Sequence, residues 1–231
     1  MCLFQYKKIF SLVGFLLVIL FGACKNFSTT SSIDEGEIEY TLQVVENRNV
    51  LLTNDMLPST TTMSFKNNNI CFNLSAFGVF ATDLISKQGS KTLTQTLKLM
   101  GKKYAVVATQ DSLKEYMKAE PTMTIEYTKN TKTVAGYKCK HAKCTFHNPD
   151  FPSFDVYYTE DIKIEDPNFY SQYSPIKDVL MEFNVYRYNV FMRLTAKKVN
   201  EKDVDDAVFE AAADFKKVSK REMDSYFNPG G

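Results

Sequence analysis

The sequence predicts a mainly antiparallel β domain with a few short helices, an α+β class. Three observations carry that expectation. Apolar and polar residues alternate along much of the chain, as where Ile38, Tyr40, Leu42 and Val44 interleave with Glu37, Glu39, Thr41 and Gln43, the period of a half-buried strand. Residues that tolerate a left-handed backbone, such as Asn67-Asn68-Asn69 and Gly101-Lys102, recur between such runs and mark hairpins. The chain carries 18 Phe and 13 Tyr but no Trp, and this aromatic bias, with many Thr and Val, suits pleated surfaces.

Taken in order, the first strand starts at Gly36, and residues 49–58 read as a connection that ends in a breaker, Pro58. Residues 60–66 and 70–77 form a hairpin, with Ile70, Phe72, Leu74 and Ala76 on one face, where Met63 and Phe65 meet them. Residues 79–87 fit either a strand or a buried helical turn. Leu93, Leu97 and Leu99 lead to the turn at Gly101, and Tyr104, Val106 and Ala108 return from it. Asp111 is placed to cap a short helix, because Leu113, Tyr116 and Met117 follow at helical spacing and Pro121 ends it. A helix this short must pack on the sheet to be stable.

Met123, Ile125 and Tyr127 open a strand expected to turn at Lys129-Asn130 into a long run from Val134 to Phe146. Phe154, Val156 and Tyr158 share one face of the next strand. Residues 160–173 form a loop long enough to cover something, and Ser174-Pro175 suits the start of a helical turn through Val179. Residues 180–188 and 190–199 read as a hairpin with Asn189 at its tip. Ser219 and Glu222 have capping-box spacing before a last short helix. No period of 20 to 50 residues repeats, which argues against a solenoid or propeller.

The N-terminus has a different composition. Lys7 and Lys8 precede an uncharged run from Ile9 to Phe21, followed by Gly22, Ala23 and Cys24. That is the build of a secretory leader, shorter than the roughly 20 apolar residues a membrane-spanning helix needs. Its end, Leu20-Phe21-Gly22-Ala23-Cys24, resembles a bacterial lipobox, with Phe21 where Leu is usual. The resemblance implies a signal peptide over residues 1–23, lipidation of Cys24 with palmitate-like acyl chains, and a lasting membrane anchor, since two or more chains hold where one does not. Lys25 follows the cysteine, not the aspartate that retains some lipoproteins at the inner membrane, so the implied location is the outer membrane, facing the periplasm. Residues 24–35 are Ser/Thr-rich and read as a tether, residues 36–227 as one domain, and residues 228–231 as a tail.

Removing residues 1–23 from the 231 leaves 208 and moves the formal charge from +1 to −1. No basic surplus points to nucleic acid. Cys71, Cys139 and Cys144 remain in the domain and permit one bridge at most. On one extended strand Cys139 and Cys144 would lie about 16 Å apart, beyond disulfide reach, which leaves Cys71 with either of them open.

Three further segments belong together: Thr133-Val134-Ala135-Gly136-Tyr137-Lys138-Cys139; Val179 to Phe183 with the strand from Leu194 to Val199; and Val208-Phe209 with Phe215 to Ser219. In that order they resemble a family of secreted β domains of unknown function, similar in layout to the LolA-like lipoprotein-carrier half-barrels. The resemblance implies a curved, open half-barrel whose concave apolar face is lidded by short helices and holds acyl chains. It brings no catalytic residues and no cofactor.

Candidate chemistry in the domain is sparse. Cys139, His141, Cys144 and His147 are soft metal ligands, but a regular strand spreads them too widely for one ion. No Gly-x-Ser-x-Gly elbow occurs, and neither histidine has a recognisable third group in sequence, so an enzyme is not expected. The expected ligand pocket is apolar and lies where Ile38, Tyr40, Phe72, Leu74, Met123 and Ile125 converge. An aromatic run of Phe169, Tyr170 and Tyr173 with Phe183, Tyr186 and Tyr188 suits a binding mouth, although core packing is the reading the residues favour for the run as a whole, and Tyr173 is taken as a ligand contact. The sequence is thus read as an envelope lipoprotein binding a lipid or acyl chain; the alternative left open is an envelope protein-interaction module without a small ligand.

Overall fold

The computed structural model describes residues 32–76, 80–148 and 150–227. The leader, Cys24, the tether up to residue 31 and the tail of residues 228–231 lie outside them. Among the described residues no helix is long and apolar enough to cross a membrane.

The elements in chain order are β1 (Glu35–Asn47), β2 (Thr60–Lys66), β3 (Asn69–Ala76), β4 (Phe80–Lys87), β5 (Thr92–Leu99), β6 (Lys102–Ala108), α1 (Gln110–Ala119), β7 (Met123–Val134), β8 (Tyr137–Phe146), β9 (Phe154–Thr159), β10 (Val179–Arg187), β11 (Val190–Asn200), β12 (Lys216–Lys217) and α2 (Lys220–Ser225). The strands form one 12-stranded sheet in the order β12-β6-β5-β4-β3-β2-β1-β11-β10-β9-β8-β7. Every neighbouring pair is antiparallel except β12 with β6. The sheet is open, with β12 and β7 as its edges. Apart from the two-residue β12 added beside β6, it consists of two meanders, β1 to β6 and β7 to β11, joined where β1 pairs with β11.

The turn chemistry explains the hairpins. Asn67 and Asn68 carry φ of 50° and 62°, and Tyr188 and Asn189 carry 50° and 60°, the consecutive left-handed conformations that match the twist of paired strands. Met100 and Gly101 do the same between β5 and β6. The β7–β8 turn falls at Ala135 and Gly136, with φ of 49° and 87°, and not at the expected Lys129-Asn130. Residues 129–130 instead sit in a register shift between Tyr127 and Thr131, where β7 bulges and continues.

Two other expectations need correction. The N-cap of α1 is Thr109, two residues before Asp111; the Thr109 backbone N–H donates to Ser112 Oγ at 2.8 Å, and Asp111 lies in the first turn, where its charge suits the helix dipole. Ser174-Pro175 does not start a helix. That segment is a turn in which Ile176 N–H donates to the Tyr173 carbonyl, and Val179 already opens β10. The undecided segment before Lys87 is strand β4, paired along its length with β3.

The sheet is strongly curled. Gln95 on β5 and Arg187 on β10 are six strands apart in the sheet order, about 29 Å if the sheet were flat. Yet Arg187 Nη2 donates to Gln95 Oε1 at 3.2 Å. The main core fills the concave side, with Ile38, Tyr40, Met63, Phe65 and Ile70 from one meander meeting Val156, Met181, Phe183 and Leu194 from the other. Ile33, ahead of β1, is buried there and bridges Ile162. A second cluster seats Met223 and Phe227 from the C-terminal helical segment on Phe80, Leu97 and Val106. On β3 Cys71 alternates with Ile70 and Phe72, so it points to the other face, where Val204 and Phe209 cover it.

Candidate functional site

The concave face encloses an apolar cavity of about 290 Å³. Strand alternation supplies its walls in residues two apart: Thr61 and Met63 on β2; Ile70, Phe72 and Leu74 on β3; Phe80, Thr82 and Leu84 on β4; Val190, Met192 and Leu194 on β11. Phe183, Val185 and Arg187 do the same on β10. The roof comes from the end of α1, through Met117, Glu120 and Pro121, and from the loop after β9, through Pro167, Asn168, Tyr170 and Tyr173.

That loop is held by its own polar groups. Asn168 Nδ2 donates to the carbonyls of Ile176 at 2.7 Å and Asp178 at 3.0 Å, satisfying backbone that no strand pairs. Tyr173 is buried, and its hydroxyl donates to the Asn184 carbonyl across the cavity wall. Lys91 and Lys177 both reach Asp166 at 2.8 Å; burial pushes that carboxyl up, but the two ammonium groups outweigh it and hold it below the usual range. Tyr40 is fully buried and donates to the Leu180 carbonyl at 2.8 Å, so it serves as wall with its hydroxyl already engaged. Its ring meets Phe183 edge-on, as Tyr173 does from the other side, with centroids 5.9 Å apart in each pair.

Of the seven residues expected at the pocket, Tyr40, Phe72, Leu74, Met123 and Tyr173 line the cavity. Ile38 and Ile125 do not. Ile38 shares the Tyr40 face of β1 but is wholly buried, in the same cluster as Ile162, Ile164 and Ile176 of the long loop. Ile125 lies on the edge strand β7 and packs against the core beside the cavity. Of the aromatic run, Tyr170, Phe183, Tyr186 and Tyr188 also line it, whereas Phe169 turns its ring toward Lys91, 4.7 Å away.

Several lining residues were not singled out in the sequence. Arg187 had a signal, because it follows Phe183 and Val185 at strand period and so shares their face. Gln95 shares the period of Leu93 and Leu97 on β5, but its meeting with β10 comes from the curl of the sheet, and Phe227 had no signal, reaching the cavity through the return of the C-terminal segment. On one side Glu120, Pro121, Tyr186, Arg187 and Tyr188 border both the cavity and a wider polar depression, which Lys220, Arg221 and Asp224 complete.

The histidines lie elsewhere. His141 is buried, with Thr128 Oγ1 2.7 Å from Nδ1 and Asp155 Oδ1 2.9 Å from Nε2, so the third group missing from the sequence reading exists in the fold. His147 sits between Thr122 and Thr124 at 2.9 Å each. None of these residues lines the cavity. Cys71, Cys139 and Cys144 are free and buried, and burial is the main reason their thiol pKa values rise to about 12, 11 and 12. Among the described residues no group of three or more His, Cys, Asp or Glu side chains gathers as a metal site.

No family model matches the chain, and no curated protein matches it. Among solved structures it is similar to PNGF-II, with a TM-score of 0.52 and 12% identity over 84% of this chain and 32% of that one. A structure of MucB matches with a TM-score of 0.31 and 9% identity over 81% of this chain and 62% of that one. The chain therefore spans about a third of PNGF-II and less than two thirds of MucB. The likeness to PNGF-II is one of fold: the open antiparallel sheet of this chain is an architecture that a larger protein also carries.

Proposed function

We propose that this chain is a non-enzymatic lipoprotein of the cell envelope, anchored through Cys24 at the outer membrane and facing the periplasm, that holds a lipid or acyl chain in the concave face of its sheet. The observation that carries the ligand half of this reading is the cavity itself. Its walls are predominantly Leu, Ile, Val, Met, Phe and Tyr drawn from two separate meanders, with a minority of polar residues among them, the usual build of a small-ligand site. Its position at the centre of the concave face fits the half-barrel carrier layout suggested by the three sequence segments. The anchor half rests on the lipobox-like run before Cys24.

Native mass spectrometry of the purified full-length chain tests the ligand. A co-purifying amphiphile of fixed mass is expected; a reproducibly empty protein that also fails to take up an added fatty acid would overturn the reading. The anchor is tested separately. Cys24→Ser should abolish labelling by a palmitate analogue and release the protein from the membrane fraction, and continued labelling would count against it.

A further inference from the structure

We infer that the ligand is a single-tailed amphiphile whose head group is an oxyanion, received by Arg187. This inference rests on the ligand reading above and names its chemical class. The volume of about 290 Å³ lies near the low end of the roughly 300–1,000 Å³ usual for ligand pockets, which suits a single chain. The polar end is equally specific. Arg187 projects from β10 on the face that Phe183 and Val185 present to the cavity, and its side chain is only 27% exposed. A guanidinium carries five N–H donors, and its contacts here use few of them. Nη2 lies 3.2 Å from Gln95 Oε1 and 3.5 Å from the Tyr188 hydroxyl, and the nearest carboxylate, Glu120, is 3.7 Å from Nη1.

Arg187 is also held in place. It lies over the Tyr188 ring at 5.0 Å, and that ring stacks on Phe227 with centroids 4.3 Å apart and 13° between planes. The Tyr188 hydroxyl donates to Asp224 Oδ1 at 3.1 Å and accepts from Gln95 Nε2 at 3.1 Å. A planar fork positioned in this way can take both oxygens of a carboxylate, or two of a phosphate or sulfate, at once. The depression beyond it adds Arg221 and Lys220, the latter already paired with Asp224, so with Arg187 three cations face the two carboxylates Glu120 and Asp224 where the head group would emerge. Glu120 is a distant and partly solvated partner at 3.7 Å, and an anionic head bound closer would better offset the cost of desolvating an arginine at the edge of an apolar cavity.

Calorimetric titration of the full-length chain at pH 8 with dodecanoate, 1-dodecanol and dodecylammonium tests this. Dodecanoate should bind roughly 10-fold or more tightly than dodecanol, and Arg187→Gln should remove most of that advantage by weakening dodecanoate much more than dodecanol. Glu120→Gln, on the rim shared by the cavity and the depression, should tighten dodecanoate by withdrawing a competing carboxylate. Equal affinity for dodecanoate and dodecanol, or a preference for dodecylammonium, would overturn the head-group assignment and leave the cavity reading standing. Failure of all three to bind would overturn both.

Discussion

Glu182 offers a quantitative test of how β10, the strand that carries Phe183, Val185 and Arg187, is held. Its side chain is only 2% exposed, just past the register shift between Leu180 and Glu182. Lys132 Nζ lies 2.6 Å from Oε2, and Arg193 donates to Oε1; these cations are 47% and 42% exposed. A hydrogen bond to a charged group contributes about 1.5–3 kcal/mol, and half-solvated partners sit at or below the low end of that range. Lys132→Met or Arg193→Met alone should therefore cost about 1–2 kcal/mol, since the other cation still neutralises the carboxylate. Removing both strands a buried charge, at about 3–5 kcal/mol, so the double substitution should cost more than the two singles together.

Urea unfolding at pH 7 measures this through the midpoint, provided the slope is unchanged. The pH dependence gives a second check. Burial pushes the Glu182 carboxyl up, but Lys132 and Arg193 outweigh it and hold the folded value below the ordinary 4.5. Its contribution is thus fully present above the unfolded value and is lost as pH falls through the depressed folded one. In the double variant only burial acts, the folded value rises above the unfolded one, and the deficit should shrink as pH falls through it. A double variant that loses less than about 1 kcal/mol at pH 7, or whose deficit ignores acidification, would refute the reasoning.

Three further outcomes are expected. Tyr173→Phe removes the hydroxyl bound to the Asn184 carbonyl and should cost about 1 kcal/mol, with hydrogen exchange rising first in residues 160–178. Gly36→Ala should destabilise by about 2–3 kcal/mol in thermal or urea unfolding, because φ is 156° and a Cβ would meet the Asn200 carbonyl oxygen at 2.4 Å. Iodoacetamide at pH 8.5 should leave Cys71 and Cys144 unmodified in the native protein, since burial holds their thiols at about 12, and should label them once urea unfolds the chain; rapid native labelling would contradict their burial.

What could be read from the residues follows the range of the forces involved. Hairpins were legible because their signals are local: Asn67-Asn68 sits between alternating runs, and Phe72 falls opposite Met63 as expected. The β7–β8 turn was misplaced because Asn130 is also a good turn residue; what decides is the pairing of Thr133 with Lys138, which puts the reversal at Ala135-Gly136. Ser174-Pro175 is a fair helix start in isolation, but Asn168 captures the carbonyls that follow it. At the site, alternation alone put Tyr40, Phe72 and Leu74 on the right face. It did not separate them from Ile38, because which inward residues face space and which are covered depends on the long loop. Nor did it bring Gln95 to Arg187, a contact that exists only because the sheet curls.

The junction between the two meanders has a kinetic consequence. Among the described residues β1 comes first in the chain and lies in the middle of the sheet, yet its partner β11 is the last long strand: Ile38 pairs with Val199. Each meander can assemble from near neighbours within milliseconds or faster, but the seam between them must wait until nearly the whole chain is available and a very long loop has closed. Until it does, each half exposes an unpaired strand edge and half of an apolar wall, the state in which such chains aggregate. An amphiphile that touches both halves would act as a clamp across that seam, slowing its opening more than its closing, so ligand loading should register first as a fall in the unfolding rate.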